Sequence, residues 1–344
     1  MSRTPPLGRR PSIWFPAIRT KTGAETFTRT LAAGLEQTGY RVHVDWLPHR
    51  TEYLPCFSSL ACPFRADIVH VNTWLPASLL PKGVPIVATL HHCVQDPAFS
   101  PYRNLLQAVY HRFWITPMER EIIGSASRVV AVSHHTAHMA MRIFGRKDVE
   151  VIHPGVDTER FRPVSRQGFN SPFRLLYVGG LTRRKGADLL LPIMERLGKG
   201  YELFCVGDHR NIFKKGRCGS IFQIGRLKDQ ADLVRYYQEA DALLLPSRLE
   251  GFGLAPCEAQ ACGTPVIATR SSSVPEVVID GATCILCPMD DVRAFAEAVR
   301  LLASDRNLWL DMRAAAASWV RQRFKVEDMV KGYARIYEEV LAEV

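Results

Sequence analysis

The chain has 344 residues, 47% of them hydrophobic, which is globular and too long for one typical core, so two domains are expected. No apolar run reaches the length of a membrane span, and nine cysteines in no regular framework speak for reduced thiols rather than disulfides. The net charge of +10 suits an anionic partner, yet no basic run interleaves with aromatics as a nucleic-acid groove requires, so nucleic acid ranks last.

Between residues 1 and 163 there are 19 Lys and Arg against 12 Asp and Glu, so about +7 of the charge lies in the first half. The opening MSRTPPLGRRPS is basic and proline-rich and leads into no secretory apolar region, so a cytoplasmic protein is expected. Ile13 to Phe15 reads as a short strand and Thr26 to Thr38 as a helix, with Leu31, Ala32 and Leu35 on one face. Gly39 ends that helix, and Tyr40 to Trp46 alternates like a strand. This βαβ opening lacks G-x-G-x-x-G and is no dinucleotide fingerprint. Ile68 to Val71 and Pro85 to Leu90 read as buried strands, the second followed by His91, His92 and Cys93. A histidine just past a strand end in an α/β domain is well placed for function; it equally suits a solvated loop.

Tyr102 to Ser125 is helical in pattern, with Leu105, Leu106, Val109, Phe113 and Trp114 among Arg103, Arg112 and Arg120. Most such stripes are core. Aromatic and basic content together also fits a segment lying on anionic lipid. Ser133 reads as a helix N-cap that sets His134 and His138 on one face. His135 stands where a zinc-binding H-E-x-x-H helix has glutamate, so an exposed helix start is preferred to a metal site. Val129 to Val132 and Val149 to Ile152 read as strands, and the polar run from Ser165 to Pro172 as an interdomain linker.

Leu175 to Val178 opens the second half as a strand, followed by GGLTRRKG from Gly179 to Gly186. A glycine loop carrying Arg183, Arg184 and Lys185 at a strand end is an anion trap, or else a solvated basic turn. Glu202 to Val206 and Ile221 to Ile224 are the next strands, and Val234 to Ala240 the next helix. Residues 241–276 then read DALLLPSRLEGFGLAPCEAQACGTPVIATRSSSVPE. Ala242 to Leu245 is a buried strand ended by Pro246 and Ser247. A helix begins near Ala255 or Pro256 and is stopped by Gly263 and Pro265, and Val266 to Ala268 is another buried strand. Glu250 in the loop and Glu258 in the helix frame glycines that let backbone amides approach a ligand. Carboxylates suit sugar hydroxyls, and amides at a helix start suit phosphate. Cys284 and Cys287 form a lone C-x-x-C, expected to pack near a strand end. Three helices close the chain, roughly Asp291 to Ala303, Asn307 to Phe324 and Val326 to Ala342.

The stretch from Asp241 to Glu276 closely resembles the donor-site signature of retaining glycosyltransferases of family 4. That resemblance implies an α/β fold of the GT-B architecture, two Rossmann-like domains facing across a cleft. It implies that Glu250 lies at the donor sugar and Glu258 binds ribose hydroxyls, while Phe252, Gly253 and Leu254 supply amides to sugar and diphosphate. GGLTRRKG resembles the family loop that grips the diphosphate. Lys185 and Gly186 match, but Gly180, after Gly179, stands where the family has an arginine, which makes Arg184 the candidate replacement and Arg183 the less favoured one. Thr22, Gly23 and Ala24 resemble a Gly-Gly-Ala loop lying between donor and acceptor, with Thr22 in place of the first glycine. Thr89-Leu90-His91 best matches the family histidine at the donor sugar, with His92 as rival. HPGVDTERFRP, from His153, resembles the element that ends the family's first domain.

The domains implied are 1–164 on the acceptor side, 165–324 for the donor, and a last helix, 325–344, packing back on the first. The activity implied is transfer of a sugar from a nucleotide-diphosphate sugar to an acceptor hydroxyl with retention. Its setting would be cell-surface polysaccharide or glycolipid synthesis at the inner face of the cytoplasmic membrane. No Asp-x-Asp is present, so no metal is expected, and no cofactor beyond the nucleotide-sugar substrate. A non-catalytic nucleotide-sugar binding subunit is the rival from another class, supported by Gly180, and a nucleotide-sugar epimerase the rival among enzymes.

Overall fold

The structure, a computed structural model, describes residues 10–20, 22–53, 60, 62, 64–207 and 220–343. The basic stretch before residue 10 lies outside the described residues. The chain divides into two units, 1–155 with 326–344, and 156–325.

In the first unit the elements are β1 (Ser12–Ile18), α1 (Gly23–Gln37), β2 (Arg41–Leu47), β3 (Ile68–Asn72) and β4 (Ile86–Leu90). After them come α2 (Leu105–Tyr110), α3 (Thr116–Ser125), β5 (Arg128–Ala131), α4 (His134–Phe144) and β6 (Val149–Val151). The six strands form one parallel sheet in the order β2-β1-β3-β4-β5-β6. Side chains of a strand alternate between faces, and both faces here are apolar. Ile13, Phe15, Ile68, Val87 and Val130 meet Phe27, Leu31 and Leu35 of α1. Trp14, Val69, Val71, Ala88 and Val129 pack with Ile122 and Ile123 of α3.

The second unit repeats the plan with β7 (Phe173–Gly179), α5 (Ala187–Leu197), β8 (Tyr201–Gly207), β9 (Ile221–Gly225), α6 (Gln230–Glu239) and β10 (Ala242–Leu245). It continues with α7 (Leu254–Ala261), β11 (Val266–Thr269), α8 (Val274–Val277), β12 (Cys284–Cys287), α9 (Val292–Ser304) and α10 (Arg306–Arg323). Its parallel sheet runs β12-β11-β10-β7-β8-β9. β10 is buried along its whole length, as a central strand covered on both faces must be. Gly263 takes φ 72° just past α7, where a left-handed residue closes the helix. Cys284 and Cys287 are buried free thiols within β12.

The helix that follows, α11 (Val326–Ala342), belongs to the first unit. Met329, Val330, Tyr333, Ile336, Tyr337 and Val340 form its buried face and join the core beneath α1. Six such side chains bring roughly 10 kcal/mol of apolar burial to that unit before entropy is counted. The Tyr337 hydroxyl lies 2.5 Å from His70 Nδ1, Thr89 Oγ1 lies 2.8 Å from His70 Nε2, and the Tyr333 hydroxyl 2.9 Å from Thr89 Oγ1. Burial pushes His70 down to about 3, so this buried network is neutral.

Two expectations from the sequence need correcting. The stripe from Tyr102 to Ser125 is not one core helix. A wide π-type turn, His111–Ile115, separates α2 from α3. Pro117 has no N–H to give and its ring crowds the preceding turn, which the wider turn relieves. Leu105, Leu106 and Phe113 are 80%, 81% and 69% exposed. The run from Ser165 to Pro172 is no free linker either. Asn170 and Arg174 donate their backbone N–H groups to the fully buried Asp241, and Arg166 pairs with the same carboxylate and donates to the Ala240 carbonyl at 2.9 Å. Phe161 packs edge-on against Tyr237 of α6. Residues 156–172 are thereby fixed to the second unit, which begins earlier than the expected 165.

Candidate active site

The candidate donor residues lie at the carboxyl end of the second unit's sheet, where ligands bind in parallel α/β sheets. β7 ends at Gly179, and the Tyr177 hydroxyl donates to the Gly180 carbonyl at 2.8 Å, fixing the exit of the chain. Thr182 caps a short turn, Arg183–Lys185, and Gly186 ends it at φ 68°. A Cβ on Gly186 would come within 2.0 Å of the Pro246 carbonyl oxygen, so the loops after β7 and β10 touch there through bare backbone.

Three further bonds lock these loops together. The Arg248 N–H donates to the Arg184 carbonyl at 2.9 Å, the Arg184 guanidinium to the Leu249 carbonyl at 2.8 Å, and the Arg248 guanidinium to the Arg183 carbonyl. Arg248 is 4% exposed and also grips Asp188 through two bonds of 2.7 and 2.9 Å and Asp290 through one of 2.6 Å. This buried guanidinium is the clamp of the site. Nothing local in the sequence marks it, since its acidic partners lie far along the chain.

The clamped loops bring Lys185 Nζ to 2.7 and 2.6 Å from the two carboxylate oxygens of Glu250. Glu250 is 5% exposed, while the Lys185 side chain keeps 23% of its surface open. Burial pushes the Glu250 carboxyl up, but Lys185 and Arg184 outweigh it and hold Glu250 below the usual carboxylate range. Burial pulls the Lys185 ammonium down, Glu250 opposes this, and Arg184 adds to it. With both oxygens on one ammonium at hydrogen-bond distance, the pair is ionised. The Glu250 N–H donates to Ser272 Oγ at 2.9 Å, and Ser273 Oγ donates to the Glu250 and Phe252 carbonyls at 3.1 and 2.9 Å. Phe252 is buried, and Gly253, at φ 104°, turns the chain into α7 at Leu254.

Glu258 sits in α7 and is 9% exposed. Its environment is the reverse of Glu250's. No cation meets it among the bonds of the described residues; the Tyr237 hydroxyl donates to its Oε2 at 2.8 Å. Burial pushes Glu258 up to about 7 against the pull of that bond.

In the first unit, His91 lies just past β4. Its Nε2 lies 2.8 Å from Asn72 Oδ1 at the end of β3, and its ring meets Phe27 edge-on at 4.8 Å. Burial lowers His91 to about 4, so it is a neutral imidazole. Phe27 belongs to α1, which opens at Gly23 and Ala24, so the structure gathers His91 and the start of α1 at one end of that sheet. His92, the rival, packs near Trp74, with ring centroids 5.4 Å apart. Beside them Glu119 is fully buried. It accepts from Thr73 Oγ1, Trp74 Nε1 and Gln95 Nε2 at 3.1, 2.9 and 2.6 Å. Burial raises it to about 7 despite these bonds. No motif or spacing marks Asn72 or Glu119. Ser133 caps α4, and His135 bonds Asp96 at 2.9 Å.

Two six-stranded parallel sheets, each covered by helices, are the two-domain α/β arrangement of the GT-B architecture. Residues 172–305 match the family described as glycosyl transferases group 1, and residues 46–160 match Glycosyltransferase Family 4. The chain belongs to these glycosyltransferases. It is similar to a glycogen synthase of Mycobacterium tuberculosis, 28% identical over 80% of this chain and 69% of the relative. It is similar also to D-inositol 3-phosphate glycosyltransferase 1 of Catenulispora acidiphila, 29% identical over 75% of this chain and 68% of the relative. Among solved structures, sucrose-phosphate synthase of Thermosynechococcus elongatus has the same fold, with a TM-score of 0.81 over 97% of this chain and 100% of that one at 19% identity. So does Anabaena HepE in complex with UDP-glucose, with a TM-score of 0.74 over 97% and 100% at 18% identity.

Proposed function

We propose that this glycosyltransferase takes a sugar from a nucleoside diphosphate donor held by the second unit and passes it to an acceptor hydroxyl with retention at the anomeric carbon. The Lys185–Glu250 pair beside the Gly251-to-Leu254 turn is the observation that carries the reading. As the bond from the anomeric carbon to the phosphate oxygen breaks, negative charge grows on the diphosphate. Fixed cations and amides aimed there dominate such catalysis. Lys185 is the ammonium for that charge, and Glu250 takes the hydroxyls of the departing sugar. Arg184 stands in for the family arginine that Gly180 replaces. Gly179, Gly180, Phe252, Gly253 and Leu254 line the diphosphate with backbone, and Glu258 accepts from the ribose. In the first unit, neutral His91 with Gly23 and Ala24 offers hydrogen bonds without charge. Charge neutralisation by side chains makes the reaction independent of metal.

Incubation with UDP-glucose, ADP-glucose and GDP-mannose tests this. Slow release of the nucleoside diphosphate, unchanged by a chelator, supports catalysis. Binding without release would mean a non-catalytic subunit, and conversion of the donor to another sugar without an acceptor would mean an epimerase. Proton NMR of the product reads the anomeric configuration.

Attachment to an anionic membrane is the second part of the reading. No helix of the described residues is long and apolar enough to cross a membrane. Leu105, Leu106 and Phe113 are nonetheless open to solvent, and Arg112 is exposed beside Phe113, its guanidinium 5.8 Å from that ring. Apolar insertion and basic charge together are what peripheral attachment needs. Co-sedimentation with anionic vesicles, lost with neutral lipid and at high salt, is the expected result. Attachment there would support a role in polysaccharide or glycolipid synthesis at the inner face of the cytoplasmic membrane.

A further inference from the structure

We infer that Tyr237 is a positioning residue for donor binding: its hydroxyl holds the Glu258 carboxylate in the orientation and charge state that receive a ribose diol. The inference rests on the proposed donor role of Glu258 and assigns a residue that neither motif nor spacing had marked.

Glu258 is nearly enclosed, and the Tyr237 O–H is the donor on its Oε2 at 2.8 Å. Oε1 is left to accept from a ligand. Tyr237 has no freedom to wander. It is fully buried in α6, its ring lies against Phe161, and its carbonyl accepts from Thr264 Oγ1 at 2.6 Å. The tyrosine is therefore fixed from α6 and from the loop after α7, and it in turn fixes a glutamate rotamer that apolar neighbours alone would leave free.

Charge supports the same role. A vicinal diol donates two hydrogen bonds, which a carboxylate accepts and a carboxylic acid accepts less well. Burial raises Glu258 to about 7, and the Tyr237 bond is what opposes that rise. The other titratable groups near it are Cys257 of α7, Cys262 just past that helix and, next to Cys262, Arg313 of α10. Both thiols are pushed up by burial and stay neutral, so tyrosine alone among these groups bonds to the charged form. Without its hydroxyl, Glu258 takes up a proton at higher pH and loses its anchored geometry.

The test is titration calorimetry with whichever of UDP-glucose, ADP-glucose and GDP-mannose binds, and with its 2′-deoxy analogue, between pH 5.5 and 8.5. These donors do not themselves titrate in that window. Wild type should prefer the ribo form, with the preference falling as pH drops through about 7. Tyr237→Phe should keep its thermal midpoint near wild type, bind the ribo donor about three- to tenfold more weakly at neutral pH, and lose its preference at higher pH than wild type does. The deoxy analogue should bind both proteins nearly alike. In a Glu258→Gln background, Tyr237→Phe should add little. A ribo preference in wild type that Tyr237→Phe leaves unchanged in size and in pH dependence would overturn the role of Tyr237 while leaving the donor site intact. Equal binding of ribo and deoxy forms by wild type, or no binding of any donor, would instead overturn the reading of Glu258 itself.

Discussion

The carboxyl ends of the two sheets are built from opposite materials. In the second unit the end of the sheet is charged and paired: Lys185 on Glu250, and Arg248 on Asp188 and Asp290. In the first, Asp96 pairs with His135, but three other prominent groups have no ionic partner among the bonds of the described residues. His91 and His70 are lowered by burial to about 4 and about 3, and Glu119 is raised to about 7 with neutral donors around it. Both sheets have six parallel strands, so topology does not make the difference. On the proposed reading, the second unit's end meets a charge that grows during the reaction and the first unit's end holds hydroxyls without adding charge.

Lys185→Ala strikes that contrast hardest. Turnover with the true donor should fall roughly 100- to 1,000-fold, the scale for one lost charge stabiliser. Arg184→Ala should be nearly as damaging and Arg184→Lys should recover only part of the loss, because a lysine lacks the planar fork. Steady-state kinetics reads all three, and a fully active Lys185→Ala would remove the charged end from the mechanism.

Glu119 sharpens the contrast through pH. Its value rises on folding from an ordinary 4.5 to about 7. Between these values the folded chain holds a proton that the unfolded chain has lost, so stability falls as pH rises through that window and levels off above it. The loss amounts to about 3 kcal/mol at most. Urea unfolding of wild type and Glu119→Gln at pH 5 and pH 7.5 should show it as the difference between the two slopes, because Glu258 adds to the wild-type slope while His70 and His91 oppose it. Glu250 runs the other way: held low in the fold, it contributes stability above its ordinary range that disappears on acidification below it.

A smaller effect belongs to His91. Removing a neutral hydrogen-bonding group by His91→Ala should lower turnover roughly tenfold. Since the imidazole is lowered to about 4, the pH–rate profile between 6 and 8 should keep its shape. A vanished limb in that range would show that His91 titrates there and that this end of the sheet is charged after all. Smallest in stability is the pair Leu105→Ser with Leu106→Ser. Both side chains are already in solvent, so the unfolding free energy should move by less than about 0.5 kcal/mol while recovery on anionic vesicles drops.

Much of the architecture could be read from residue order because its signals are local. Ala242 to Leu245, the stop at Gly263 and the strand after Pro265 are punctuated by proline and glycine, and the structure has β10, α7 and β11 there. What pairs with what was another matter. Arg248 reaches Asp188, 60 residues back, and Asp290, 42 residues on, and no period or spacing joins such positions. Tyr237 lies inside the expected helix from Val234 to Ala240, and no spacing joins it to Glu258, 21 residues on. The run from Ser165 to Pro172 has a linker's composition, yet one buried carboxylate, Asp241, fastens it. The stripe of α2 has the periodicity of a core helix, and periodicity cannot say whether anything covers it.

The placement of α11 also bears on how the protein is made. The second unit is one uninterrupted run of chain, whereas the first takes part of its core from residues that follow the second. On the ribosome, residues 10–155 emerge with the α1 side of their sheet covered by α1 but not by α11, and with His70 and Thr89 lacking Tyr337 and Tyr333. Residues 326–344 follow the second unit, so the first cannot be completed until the second has been made. The unit that begins the chain is the last to be completed, and a nascent chain stalled before residue 326 should be protected from protease in its later half and cleaved in its earlier one.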